Sequence, residues 1–96
     1  MFVRMARFEG GDPNEADQAI ERVRQLTEGE PPPGLEGAKR LLMLIDRQQG
    51  RGLGLTFFES EDEMRRGDEA LNAMSSQSSG QRTSVEMYEV GLDRDF

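Results

Sequence analysis

Few side chains in this chain could do chemistry, and the missing ones narrow the options further. The 96 residues contain neither histidine nor cysteine. The commonest general base and metal ligand are therefore absent, and so are thiolate nucleophiles, disulfides and cysteine-ligated zinc or iron–sulfur centres. Arg4 has the best claim on a ligand. It shares an alternation with Phe2, Ala6 and Phe8, and a guanidinium there could pair with a phenolate or carboxylate. The structural explanation for Arg4 is a strand-edge position or an ion pair with an acid such as Glu86. Tyr88, the only tyrosine, and Thr56 could donate hydrogen bonds to a ligand, although a strand aromatic more often serves as core. Carboxylates crowd together at Glu59, Glu61, Asp62 and Glu63, where the start of a helix is reason enough for them. No metal site is expected from that cluster, because a divalent ion needs carboxylates converging from separate elements. Met43, Met64, Met74 and Met87 could line an adaptable apolar pocket or fill gaps in a small core.

These groups must be placed by regular elements, and the pattern supplies six. Residues 2–8 form a mixed apolar–basic run that reads as a strand ending at Gly10-Gly11. Asp12 then suits an N-cap, Pro13 the first helical position and Glu15 the third place of a capping box. Ala16, Ala19, Ile20, Val23 and Leu26 recur at three- and four-residue steps, which predicts an amphipathic helix over 13–28. Glu30-Pro31-Pro32-Pro33-Gly34 can neither continue a helix nor join a central strand and reads as a stiff extended connector.

Residues 38–47 and 53–59 are the second and third strands. Gln48-Gln49-Gly50-Arg51-Gly52 between them provides a hairpin turn with two glycines available for positive φ. The glycine spacing fits neither a dinucleotide nor a P-loop pattern, and a strand follows rather than a helix. Ser60 and Glu63 form a capping box for a second helix carrying Met64, Gly67, Leu71 and Met74 on one face. Gly67 in its middle costs roughly 1 kcal/mol against alanine, which suggests close packing at that point. Residues 75–82 read as a flexible polar loop, 83–91 as a fourth strand, and 92–96 as a tail whose Phe96 could reach a neighbour.

Ninety-six residues make one domain, 1–96, whose thin core would gain from association. The net charge of −7, from 19 acidic and 12 basic residues, argues against nucleic acid as a partner. The longest apolar run, Leu41 to Ile45, is far too short to cross a membrane, and the arginines near the N-terminus do not suit a signal peptide. A cytoplasmic location is expected, and the lack of cysteine fits a reducing compartment.

The order strand, helix, strand, strand, helix, strand is the ferredoxin-like α+β plan: a four-stranded antiparallel sheet with both helices on one face. The second strand is apolar on both alternations, with Leu41, Met43 and Ile45 opposed by Leu42 and Leu44. The third has Leu53, Leu55 and Phe57 opposed by Phe58. Two helices cover only one face, so the other needs a lid, and a second copy of the chain is the economical one. A homodimer through the sheet faces is expected.

Pro33-Gly34-Leu35-Glu36-Gly37 entering a strand, the hairpin, and Leu55-Thr56-Phe57-Phe58-Glu59-Ser60-Glu61 entering a helix together resemble the antibiotic-biosynthesis-monooxygenase-like branch of the dimeric α+β barrel superfamily. The resemblance implies a barrel of two facing sheets. It also implies relatives that include cofactor-free monooxygenases acting on aromatic polyketides, haem-degrading enzymes and small proteins without established activity. In the haem-degrading pattern an asparagine lies late on the first strand, a tryptophan ends the third, and a histidine on the second helix ligates iron. These positions fall near Ala6, on Phe58, and on no residue at all. Haem degradation by that machinery is not expected, and no cofactor is expected.

The resemblance places Arg4, Thr56, Phe58 and Tyr88 around a pocket for a small aromatic ligand. The expected function is a non-catalytic or small-ligand-binding module. The alternative is a cofactor-independent monooxygenase acting on an aromatic or polyketide-like substrate, and the residues do not decide between them.

Overall fold

The computed structural model describes residues 1–74 and 80–96. Most of the polar loop read at 75–82 lies outside the described residues. The chain forms β1 (Phe2–Glu9), a single 3-10 turn (Pro13–Glu15) running into α1 (Ala16–Thr27), β2 (Ala38–Asp46), β3 (Arg51–Phe58), α2 (Glu61–Ala73) and β4 (Gln81–Glu89). The four strands make one antiparallel sheet in the order β2-β3-β1-β4. This is the ferredoxin-like α+β arrangement expected from the element order.

The helix starts follow their caps. Asp12 accepts from the backbone N–H of Asn14 at 2.9 Å rather than from Glu15, because the first turn is 3-10. The Ser60 hydroxyl accepts from the Glu63 N–H at 3.1 Å and donates to the Glu63 carboxylate at 3.1 Å. The hairpin is tighter than the sequence suggested. Only Gly50 has positive φ (67°), and Gly52 already belongs to β3. Asp46 stabilises the turn, its carboxylate accepting from the Gln48 and Gln49 N–H groups at 3.1 and 3.2 Å. These bonds, the one from Gln49 foremost, hold its carboxyl below the usual range. The proline connector is turned rather than simply extended, with Leu35 N–H donating to Pro32 at 3.0 Å and Ala38 N–H to Leu35 at 3.1 Å.

In an antiparallel pair, directly opposed residues share a face. Phe2, Arg4 and Ala6 oppose Phe58, Thr56 and Gly54, and Leu41 and Met43 join them from β2. This is the helix side. Val3, Met5, Leu42, Leu44, Leu53, Leu55 and Phe57 share the other side, where no element among the described residues covers them.

The two helices differ in how they meet the sheet. α2 packs on β1, β3 and β2. Its seat is Gly67: Phe58, the only large side chain fully buried among the described residues, points its ring at the glycine, and a Cβ there would lie 2.7 Å from Phe58 Cε1. The packing expected at Gly67 is therefore real, and the partner is the aromatic that closes β3. α1 instead stands off the sheet. It is tied at its N-terminal end by Asp17 to Arg47 at 2.8 Å and by the Gly11 N–H to the Gly50 carbonyl at 2.8 Å. Gly67→Ala should lower stability by about 1–3 kcal/mol despite alanine's better helix propensity, because the added methyl overpacks the Phe58 ring. A urea denaturation midpoint that rose instead would show that the ring is not seated there.

Candidate ligand cleft beneath the first helix

The gap left by α1 is a cleft of about 700 Å³ on the helix side of the sheet. Its roof is the apolar face of α1: Ala16, Ala19, Val23 and Leu26. Its floor includes Ala6, Phe8, Met43, Gly54 and Thr56, and Leu71 and Asn72 of α2 bound it with Met74, the residue that caps that helix. Gly54 contributes no side chain to the floor. A Cβ there would meet only Phe8 Cε2, at 3.9 Å, so the space above it is open.

Arg4 sits in this floor, 4% exposed, between Thr56 on β3 and Met87 on β4. Its Nε donates to Asp68 Oδ1 at 2.7 Å and its Nη2 to Asn72 Oδ1 at 3.1 Å. Asp68 and Asn72 are one helical turn apart on α2, and so present to the same strand position. Asn72 Oδ1 also accepts from Arg82 Nη1 at 2.7 Å. The acid expected for Arg4 was Glu86. That residue opposes Met5 on the other face, where it takes Arg7 at 3.6 Å and the Tyr88 hydroxyl at 2.8 Å.

The four residues expected around a pocket are thus divided. Arg4 and Thr56 are buried and come together, opposed in register on the cleft floor. Phe58 shares their face but is fully buried against Gly67, outside the cleft lining, where it serves packing. Tyr88 opposes Val3 on the uncovered face and is 49% exposed, so the sheet separates it from the cleft. Its hydrogen bond to Glu86, and then the charge of that carboxylate, push the phenol above its ordinary pKa. Of the methionines, Met43 and Met74 line the cleft, and Met64 is buried core.

Sequence reasoning missed Asp68, Asn72 and Arg82. The first two had a signal, their spacing of four on a helix with Gly67 already marked as a contact. Arg82 had none, because it fell in a stretch read as loop. β4 starts at Gln81, and its register slips between Arg7, opposite Ser84, and Phe8, opposite Arg82. The extra residue, Thr83, is a bulge that turns Arg82 onto the cleft face; regular pairing would have turned it away.

Replacing Asp68 by alanine leaves the Arg4 guanidinium short of its counter-charge while it remains buried. We expect a loss of about 2–3 kcal/mol, somewhat less than for a fully enclosed pair because Asp68 is partly open to solvent. The double variant Arg4→Met/Asp68→Leu should recover part of that loss. A thermal melt in which Asp68→Ala matched the parent would overturn the pairing.

No family model matches the sequence, and no curated protein matches it. Solved structures do match. A candidate antibiotic biosynthesis monooxygenase from Deinococcus radiodurans superposes with a TM-score of 0.60 at 16% identity, over 100% of this chain and 98% of that one. A variant of MhuD with two manganese protoporphyrin IX molecules per active site gives 0.64 at 16% identity, over 100% of both chains. The haem-degrader MhuD from Mycobacterium tuberculosis, with two haems bound, gives 0.62 at 13% identity, over 99% of this chain and 100% of that one. At these identities the likeness is one of fold, and it spans the whole chain: the ferredoxin-like α+β fold of this protein is the one that these monooxygenase-like and haem-degrader structures share.

Proposed function

We propose that the protein binds a small, largely apolar aromatic molecule in the cleft between α1 and the sheet. The observation that carries this reading is the cleft itself. Its volume of about 700 Å³ lies within the range of small-molecule sites, and a few fixed polar groups interrupt its apolar lining. Arg4 and Thr56 are those groups on the floor, both held by the sheet and α2 rather than by mobile loops.

Haem, bound in one of the similar structures and replaced by manganese protoporphyrin IX in another, fits poorly. The chain has no histidine or cysteine, its only tyrosine lies across the sheet, and Met43 and Met74 offer only thioethers at the cleft. This donor set does not fit an iron porphyrin.

Cofactor-independent oxygenation is the second reading, favoured by the similarity to the candidate monooxygenase. Such chemistry needs a group to remove a phenolic proton. The carboxylates at hand are already engaged, Asp68 by Arg4, Asp12 by the cap it makes and Asp46 by the hairpin turn and Arg51, which favours binding over catalysis. Titrating the protein with hydroxylated anthrones should show saturable binding that Gly54→Leu abolishes by filling the floor. Absence of binding to the parent would overturn the proposal. Protein-dependent oxygen uptake above the autoxidation of the anthrone would favour the oxygenase instead.

We further propose that the chain, one domain over 1–96, works as a homodimer through its uncovered sheet face, in the cytoplasm that its lack of cysteine suits. Among the described residues the buried apolar core comprises only Ala6, Ala16, Ala19, Phe58 and Met64, of which three are alanines. The chain exposes 6691 Å², against about 5,500 Å² expected of a folded monomer of this mass. That excess is comparable to one side of a standard interface, roughly 800 Å². The uncovered face has an apolar middle, with Arg7–Glu86 and Arg40 over the Phe57 ring (5.8 Å) toward its margins, the layout of an interface with a polar rim. Sedimentation should give a dimer for the parent and a monomer for Leu55→Glu. A parent that remains monomeric at micromolar concentration would overturn the assembly.

A further inference from the structure

We propose that the ligand of the cleft carries a carboxylate, and that this group is read by Arg82 and Arg4 across Asn72. The inference rests on the small-ligand reading above and adds the chemical class of the ligand's polar end.

Three observations converge. First, Arg4 and Arg82 are the charged residues that β1 and β4 contribute to the cleft lining, and both are cationic; the other charged residues of the lining, Asp12, Lys39, Arg40, Asp46, Arg47 and Arg51, lie before α1 and on β2 and the hairpin. The chain as a whole carries a net charge of −7, so this local excess runs against its composition. Second, the two guanidinium groups converge on a single acceptor atom. Asn72 Oδ1 takes Arg4 Nη2 at 3.1 Å and Arg82 Nη1 at 2.7 Å, which brings two cations together through a neutral amide. Among the described residues the one carboxylate paired with them in the cluster, Asp68, binds Arg4 through Nε, so the pair keeps an excess of one positive charge. Third, Arg82 reaches this place only because of the β4 bulge at Thr83. Bulges are over-represented beside binding sites, where they re-aim a side chain.

A planar carboxylate can accept from two N–H groups at once, which suits a pair of adjacent guanidinium edges better than a neutral hydroxyl would. Placed there, it would also supply the charge that Asn72 lacks. The aromatic body would then extend along the apolar floor, over Gly54 and beneath Val23 and Leu26. Arg4 supplies a fixed, buried edge. Arg82, exposed at the mouth, can follow the ligand as it enters.

The test uses a matched pair of probes, 1-naphthoate and 1-naphthamide, which differ in charge but hardly in shape. The chain has no tryptophan, so naphthalene fluorescence can be followed against a low background. The carboxylate should bind about tenfold or more tightly than the amide, as hydrogen bonds to a charged group require. Its affinity should also fall as sodium chloride is raised. Arg82→Gln, a change at an exposed position that the fold tolerates, should cut the carboxylate-over-amide ratio several-fold. Arg65→Gln, on the outer side of α2 where Arg65 pairs with Glu61, should leave the ratio as it is. Equal affinity for the two probes, or a ratio indifferent to Arg82→Gln, would overturn the inference while leaving the cleft reading intact. If neither probe bound, both would fall together.

Discussion

The contact between Phe58 and Gly67 sets the height and phase of everything on the helix side of the sheet. A residue with any side chain at position 67 would push α2 away from β3. With glycine there, the ring sits under the helix axis, and the next residue, Asp68, is brought down onto β1. Asn72 follows one turn later, over the same strand. The buried ion pair and the polar cluster around Arg4 therefore depend on an apolar contact two residues further along β3 from Thr56. Packing does the positioning, and the charges exploit it.

The same contact explains why there is a cleft at all. α2 is drawn tight to the sheet, and among the described residues no large side chain is as fully buried between α1 and the sheet as Phe58 is beneath α2. α1 is anchored at one end by the hairpin turn, and its apolar face looks across a gap onto a floor thinned by Gly52 and Gly54. The cleft is thus a product of asymmetric packing. Helix propensity and amphipathicity are similar in the two helices and could not have distinguished them.

On the opposite side of the sheet the constraint is one of supply. Leu42, Leu44, Leu53, Leu55 and Phe57 form a continuous apolar surface, and both helices are already committed to the other face. Covering such a surface releases water from it, the dominant favourable contribution to association. The two faces also divide the polar groups. Arg7, Glu86 and Tyr88 satisfy one another on the uncovered side, and Arg4, Asp68, Asn72 and Arg82 do so beside the cleft. Tyr88 is separated from the site by one step of strand alternation, which a sequence pattern can count but cannot assign to a face.

Local chemistry by itself determined the elements and much of the plan. Caps at Asp12 and Ser60, the proline stop, the hairpin glycine and the two-sided apolarity of β2 are all short-range signals, and each marked an element or its boundary, although the turn after Asp12 is 3-10 and the proline connector is turned. Gly67 was legible too, because a glycine inside a helix costs enough to need a reason. Only the tertiary structure decided which side chains meet. Arg4 lies 64 residues from Asp68 and 68 from Asn72, separations over which periodicity carries no information. The bulge at Thr83 reverses the face of Arg82 by inserting one residue into the pairing, and that depends on where β4 settles against β1. Of the expected pocket residues, Arg4 and Thr56 share a floor because strand register placed them opposite each other. Phe58 was taken up by the core because Gly67 made room for its ring.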